Sequence, residues 1–259
     1  MIIRSAKQFS NIKITHDLGL HLVAPNKNYS FVPIPKNAST FFGNFLSTIL
    51  NWEEREYNIQ IKTVIVFVRD PLERWYTGIT EYFLRQNKSF RFENTNILEL
   101  FQNKLVFDEH TLPQVNFLDK LDTENIFFLK IDNNIDDNFI HLLQHELGYS
   151  FNKKDLKTND IEENYFNYRN FLFEIPTSKN ILKNNLWFKF SEKNMYYFPD
   201  YFKKSTISLN SSNEQPIKVE NINFLKNTLE ANPEYIDKIK KIYENDYELL
   251  NNVTFYDKV

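Results

Sequence analysis

The hexapeptide Pro-Lys-Asn-Ala-Ser-Thr at residues 35–40, called here the lysine loop, brings together groups that bind an anion. It offers one lysine, two hydroxyls and, if a helix begins there, backbone N–H groups without intrahelical partners. It is not a Walker A loop, because the glycines of that loop are absent and the whole chain holds only 4 glycines. The alternative is an ordinary turn between a strand and a helix, with an exposed Lys36 and a helix cap at Asn37 or Ser39.

A second anion-binding pattern, called here the arginine segment, spans residues 69–77 with the sequence Arg-Asp-Pro-Leu-Glu-Arg-Trp-Tyr-Thr. An arginine can hold a phosphate with two parallel hydrogen bonds, and Thr77 adds a hydroxyl on the helix that follows. Arg74 can serve the same anion or pair with Asp70. The alternative is structural, since an aspartate followed by a proline is a strong helix start and Arg69 is then a surface charge.

Apolar runs followed by amphipathic segments must position these two patterns. The run at Thr63–Val68 is apolar on both faces, which is typical of a central strand in a parallel sheet covered on both sides. The sequence therefore predicts an α/β protein, a three-layer fold with a central parallel sheet flanked by helices, whose ligands bind at the carboxyl ends of the strands. The predicted strands are Ser30–Ile34, Thr63–Val68 and Ile126–Ile131, and the predicted helices cover Phe42–Leu50, Asp70–Arg85, Ile135–Leu147 and, as two helices broken at Pro233, Asn223–Leu250.

Together, the two patterns resemble the motifs of sulfotransferases that use 3′-phosphoadenosine 5′-phosphosulfate, in particular the carbohydrate sulfotransferase branch. In that family a P-K-x-x-S-T-like loop binds the 5′-phosphosulfate, and an R-D-P-x-x-R-x-x-S segment binds the 3′-phosphate. Thr77 stands in the serine position here and keeps the hydroxyl, and Ile242–Tyr247 is similar to the family's final Y-x-x-D-Y helix. The resemblance implies a P-loop-like fold and a nucleotide site formed by Pro35, Lys36, Asn37, Ala38, Ser39, Thr40, Arg69, Arg74 and Thr77, together with Asn210, Ser211 and Ser212 of an N-x-S-like segment.

A third segment, Asp108–Gln114, is called here the histidine turn and resembles the D-x-H-x-x-P-Q sequence of many carbohydrate sulfotransferases. The resemblance implies that Lys36 stabilises the leaving phosphate and that His110 takes the proton of the acceptor hydroxyl. Glu109 and Asp108 are alternative bases if His110 only positions the substrate. We expect no metal in this site, because lysine and arginine side chains offset the anionic charge.

Two further histidines, His141 and His145, lie four residues apart on a predicted helix. This spacing suits a pair of metal ligands, but no third ligand is spaced to complete the site, so we interpret both as helix-surface residues. The chain contains no cysteine, which excludes disulfides, thiolate zinc sites and cysteine nucleophiles.

Composition sets the remaining expectations. The chain has 259 residues, of which 42% are hydrophobic and 25% charged, and we expect a single sulfotransferase domain over residues 1–259 with a variable insertion around 152–204. A net charge of −3 gives no general attraction to nucleic acid. No run approaches the roughly 20 apolar residues of a membrane span. We therefore expect a soluble, cytoplasmic protein.

The expected function is transfer of a sulfuryl group from 3′-phosphoadenosine 5′-phosphosulfate to a hydroxyl of a carbohydrate or another hydroxylated acceptor. One alternative is a P-loop-type nucleotide kinase, which would need a Walker glycine frame and a magnesium-binding carboxylate after a strand. Another is a non-catalytic nucleotide-binding protein of the same fold. Neither the sugar nor the oligomeric state follows from the sequence.

Overall fold

The computed structural model describes residue 12, residues 19–149 apart from 27, 49, 58–59, 94–96 and 122–124, and residues 214–257. These residues form a mixed five-stranded sheet and seven α-helices, which confirms the expected α/β class. The predicted insertion at 152–204 and the predicted nucleotide ligands Asn210, Ser211 and Ser212 lie outside the described residues.

The sheet has the strand order β3-β1-β2-β4-β5. Its parallel half, β2-β4-β5, coincides with the three strands that the sequence predicts. The sheet as a whole is mixed, because β1 pairs antiparallel with both β2 and β3. The few residues between β1 and β2 can only close a hairpin, since a parallel connection needs a crossover of about a dozen residues or more. The strands are β1 (Leu20–Val23), β2 (Tyr29–Val32), β3 (Glu53–Glu56), β4 (Thr63–Val68) and β5 (Ile126–Lys130).

The described part of the chain contains seven α-helices. The C-terminal region holds three helices and not the predicted two, because the chain leaves helical geometry at the buried Tyr243 as well as before Pro233. A 3₁₀ turn at Gln114–Phe117 and a π-helical turn at Leu142–Glu146 complete the regular structure. The helices are α1 (Ser39–Thr48), α2 (Pro71–Gln86), α3 (Ile97–Asn103), α4 (Ile135–His141), α5 (Glu214–Glu230), α6 (Pro233–Ile242) and α7 (Glu244–Asn252).

The start of α2 follows the local sequence signals. Asp70 is the N-cap, and its side chain accepts hydrogen bonds from the backbone N–H groups of Leu72 at 3.0 Å and Glu73 at 2.9 Å. Pro71 occupies the first helical position, where its missing N–H has no intrahelical partner to lose. The cap confirms the predicted helix start directly after β4.

Strand β4 is covered on both faces, as its continuous apolar sequence predicts. Ile65 and Phe67 pack into a core cluster with α1 and α4, whereas Val64, Val66 and Val68 pack with the histidine turn and α7. A third cluster joins α2 to α5 and α6. Parallel pairing of β2 with β4 places their carboxyl ends side by side, and the two predicted anion-binding patterns begin there.

Candidate active site

The lysine loop and the arginine segment meet at the carboxyl ends of the parallel strands β2 and β4. Arg69 Nη1 donates to the backbone carbonyl of Lys36 at 3.3 Å and to Thr77 Oγ1 at 3.2 Å. Thr77 in turn donates its hydroxyl to the carbonyl of Glu73 at 2.7 Å. Burial lowers the pKa of Arg69, while nearby Glu73 and Asp70 oppose this change. The structure thus brings Lys36, Arg69 and Thr77 together, as the two sequence patterns predict.

Asn37 and Gln114 lock these two segments to each other. Asn37 Nδ2 donates to the carbonyl of Phe67 at 2.6 Å and to Gln114 Oε1 at 2.5 Å. Gln114 also accepts from the backbone N–H of Arg69 at 2.9 Å and donates to its carbonyl at 2.8 Å. Asn37 therefore does not cap α1, because its amide is turned toward the neighbouring strand. Its Oδ1 atom is buried and has no hydrogen-bond partner.

The lysine loop has an unusual backbone. Lys36 has a φ of 70° and Ala38 a φ of 53°, so two non-glycine residues adopt the left-handed region. Such conformations cost on the order of 1 kcal/mol or more each and cluster at functional sites. Ser39 and Thr40 form the first turn of α1, so both hydroxyls lie beside the helix N-terminus. Together with the cationic Lys36, this arrangement suits an anion at the end of α1.

Arg74 is a buried residue that contacts both the lysine loop and the histidine turn. Its side chain is 0% exposed, and its guanidinium donates to the carbonyls of Pro35 at 2.9 Å, Leu112 at 2.5 Å and Glu109 at 3.2 Å. Its backbone N–H donates to the carbonyl of Asp70 at 2.9 Å, as expected in the first turn of α2. This side chain therefore joins the lysine loop to the histidine turn, and binding of the nucleotide by Arg74 stays a prediction.

In the histidine turn, the carboxylate of Asp108 holds both the ring and the backbone of His110. His110 Nδ1 lies 2.8 Å from Asp108 Oδ2, and the His110 backbone N–H donates to Asp108 Oδ1 at 2.9 Å. Because a carboxylate only accepts hydrogen bonds, the proton of the neutral ring lies on Nδ1 and Nε2 carries the lone pair. Burial lowers the pKa of His110, the Asp108 hydrogen bond opposes it, and the charges of Lys36 and Arg85 lower it further. A neutral His110 can accept a proton at neutral pH.

Two residues of the C-terminal region hold the histidine turn from outside. Asp246 of α7 is 0% exposed and accepts from the backbone N–H groups of Gln114 at 2.8 Å and Val115 at 2.9 Å. Tyr243 donates its hydroxyl to the carbonyl of Thr111. The C-terminal Y-x-x-D pattern of the sequence thus braces the turn that carries His110.

A network of ion pairs that the sequence motifs do not predict connects the lysine loop with the histidine turn. Glu81 Oε2 lies 3.1 Å from Lys36 Nζ and 3.3 Å from Lys218 Nζ, and Glu81 Oε1 lies 3.5 Å from Arg85 Nε. Arg85 Nη1 is 3.8 Å from Glu109 Oε1. The signal that could have revealed it is helical spacing, because residues 77, 81 and 85 share one face of α2.

Another residue without a predicted role is Gly78, on the side of α2 that faces His110. A Cβ at this position would lie 2.8 Å from the carbonyl carbon of His110, closer still to its oxygen, and 3.2 Å from Thr111 Cγ2. Glycine therefore allows α2 and the histidine turn to approach each other. The sequence signal for this close approach is a glycine inside a helical pattern. Glycine there lowers helix stability by about 1 kcal/mol relative to alanine, so its presence indicates a packing requirement.

One group of side chains among the described residues could hold a metal ion. Asp108, Glu109 and His110 each offer a ligand atom, and these atoms lie within 4.8 Å of one another. Both oxygens of Asp108 already contact His110. The rings of His141 and His145 stack at 4.2 Å, and His141 Nδ1 lies 2.7 Å from the hydroxyl of Tyr256.

Comparisons with protein-family models, curated proteins and solved structures find no match for this chain. In the described part of the chain no helix is both long enough and apolar enough to cross a membrane.

Proposed function

We propose that the protein is a sulfotransferase that moves a sulfuryl group from 3′-phosphoadenosine 5′-phosphosulfate to a hydroxyl of a carbohydrate acceptor, on a P-loop-like three-layer fold. The observation that carries the proposal is the contact between the lysine loop and the arginine segment, where Arg69 donates to both the Lys36 carbonyl and the Thr77 hydroxyl. A nucleotide with anionic groups at its 5′ and 3′ ends needs two adjacent cationic sites. Lys36 serves the first and Arg69 the second.

The reaction requires positioning, charge stabilisation and the removal of one proton. The acceptor oxygen attacks the sulfur atom while the bond between sulfur and the bridging phosphate oxygen breaks. Lys36 Nζ offsets the charge that develops on the leaving 3′-phosphoadenosine 5′-phosphate. The N-terminal turn of α1 and its hydroxyls at Ser39 and Thr40 hold the phosphosulfate.

The proton of the acceptor hydroxyl passes to His110 Nε2 in this proposal. Asp108 keeps the ring in the tautomer that can accept it and stabilises the imidazolium that forms. The products are a sulfate ester, 3′-phosphoadenosine 5′-phosphate and a protonated His110, which returns the proton to solvent. The choice of a carbohydrate acceptor rests on the resemblance of the histidine turn to carbohydrate sulfotransferases.

Nucleotide binding tests this proposal before any acceptor is known. Calorimetry and thermal denaturation should show that 3′-phosphoadenosine 5′-phosphate binds and stabilises the protein, whereas ATP with magnesium does not. A preference for magnesium ATP would favour a kinase. If 3′-phosphoadenosine 5′-phosphate binds but no sulfuryl transfer to a panel of oligosaccharides occurs, a non-catalytic binding protein is favoured. Absence of binding refutes the proposal.

A further inference from the structure

One face of α2 carries the residues that connect both halves of the proposed site. Thr77 contacts Arg69, Glu81 contacts Lys36, and Arg85 contacts Glu109. These three residues are spaced by four, so they lie one above the other on the helix. The neighbouring Gly78 packs against the backbone of His110. The donor side and the acceptor side of the site are therefore built on the same rigid element.

Glu81 is the central group of this face. Its side chain is 11% exposed and lies among three cations, of which Lys36 belongs to the lysine loop, Arg85 to α2 and Lys218 to α5. A second pair between the same two helices, Glu73 with Lys226 at 2.6 Å, offers a comparison. That glutamate is 44% exposed and its ion pair stays at the surface. An ion pair that only ties α5 to α2 would not need contact with the lysine loop.

We propose that Glu81 is a positioning residue that holds Lys36 Nζ in place for the leaving phosphate and links it through Arg85 to Glu109 and His110. This inference rests on the proposed sulfotransferase function. A lysine ammonium is a point charge on a flexible stem, so contact with a fixed carboxylate restricts where the ammonium lies. Orienting the ammonium before the reaction removes an entropic cost from the transition state.

The carboxylate of Glu81 also has opposite effects on nucleotide binding and on turnover. Its negative charge lies 3.1 Å from the ammonium that an anionic nucleotide must also approach, so it opposes nucleotide binding while it orients the lysine. Removing the charge of a residue that acts in this way should lower kcat without weakening nucleotide affinity. A purely structural ion pair should affect folding, nucleotide affinity and kcat in the same direction.

The test uses Glu81→Gln, which removes the charge and keeps the shape, and Glu81→Asp, which keeps the charge and shortens the reach. The matched control is Glu220→Gln on α5. It breaks an exposed ion pair outside the site, in which Arg91 Nε lies 3.1 Å from Glu220 Oε2. For Glu81→Gln we expect kcat to fall about 10- to 100-fold, as for a misplaced catalytic group, with a partial recovery in Glu81→Asp. The affinity for 3′-phosphoadenosine 5′-phosphate should be unchanged or rise about 3-fold.

A wild-type kcat in Glu81→Gln would overturn the inference. A joint loss of melting temperature, nucleotide affinity and kcat would overturn it too, because that pattern marks a structural brace. The control should match the wild type in all three measurements.

A second measurement does not depend on the reaction. Competitive acylation of lysines, followed by mass spectrometry, should show Lys36 reacting several-fold faster in Glu81→Gln than in Glu220→Gln, since a held ammonium is protected. Equal acylation rates would show that Glu81 does not hold Lys36, even if sulfuryl transfer occurs. If the wild type binds no 3′-phosphoadenosine 5′-phosphate but acylation does change, the proposed function fails and the contact between Glu81 and Lys36 stands.

Discussion

Replacing Gly78 with alanine should disable the site without touching a predicted ligand. The added Cβ would lie 2.8 Å from the carbonyl carbon of His110, well inside the 3.4 Å at which ordinary van der Waals contact begins. The obstacle is backbone, which cannot rotate away as the end of a flexible side chain can. Helix α2 and the histidine turn must therefore move apart.

The size of this displacement follows from the distances. The carbonyl carbon must recede by roughly 0.6 Å, and the oxygen, which is closer, must recede further, so the turn shifts by about 1 Å in a well-packed interior. A displacement of this size at a catalytic group costs about 100-fold in rate. Overpacking of this kind also lowers the free energy of unfolding by about 1–3 kcal/mol.

Gly148→Ala is the matched control. Gly148 follows the π-helical turn with a φ of 66°, and a Cβ there meets nothing within 4 Å. Alanine at this position should cost about 1 kcal/mol of stability through backbone strain alone. Both variants should melt at lower temperature than the wild type.

The assay is kcat for sulfuryl transfer, measured with the affinity for 3′-phosphoadenosine 5′-phosphate and the chemical shifts of the His110 ring. We expect Gly78→Ala to lose turnover and shift the His110 resonances, and Gly148→Ala to keep both. If Gly78→Ala turns over and melts like the wild type, the close approach between α2 and the histidine turn does not position His110.

Four other predictions address single groups. Lys36→Ala should lower transfer by on the order of 100-fold or more with the fold intact, because the leaving phosphate loses its cation; near-normal turnover would remove Lys36 from the mechanism. Arg69→Ala should weaken 3′-phosphoadenosine 5′-phosphate far more than adenosine 5′-phosphosulfate in calorimetry, and equal losses for both would place the 3′-phosphate elsewhere. His110→Ala should lower kcat by about 10² to 10⁴ with little change in affinity for the sulfuryl donor. The acidic limb of the pH profile, which lies below the ordinary histidine pKa because His110 is buried, should disappear in this variant. A limb that persists argues for another base. Burial lowers the pKa of His21 from 6.5 to about 4. As the pH falls from 6.5 to about 4, this histidine therefore takes up a proton in the unfolded chain but not in the folded one. The free energy of unfolding should fall by up to about 3 kcal/mol over that range. Acid melting curves of His21→Gln should lose that slope, and an unchanged slope would exclude His21 as its source.

The sequence alone determines the features that depend on neighbouring residues. Asp70 before Pro71 sets the start of α2 because the cap bonds and the missing proline N–H are local effects. The apolar run of β4 predicts a strand covered on both faces, and the structure confirms it. The order of strand, loop and helix also predicts that Lys36 and Arg69 meet, since the carboxyl ends of neighbouring parallel strands lie at one edge. The chemistry assigned to them remains a prediction.

Only the tertiary structure decides which charged side chains face a ligand and which hold the protein together. Arg69 and Arg74 look equivalent in the sequence, but Arg74 is buried on three carbonyls from two distant loops, and no local pattern encodes those partners. The antiparallel pairing of β1 with the charged edge strand β3 likewise depends on long-range contacts. Glu81 meets Lys36 and Lys218 for the same reason, because residues far apart in the chain become neighbours only after α2, the lysine loop and α5 have packed.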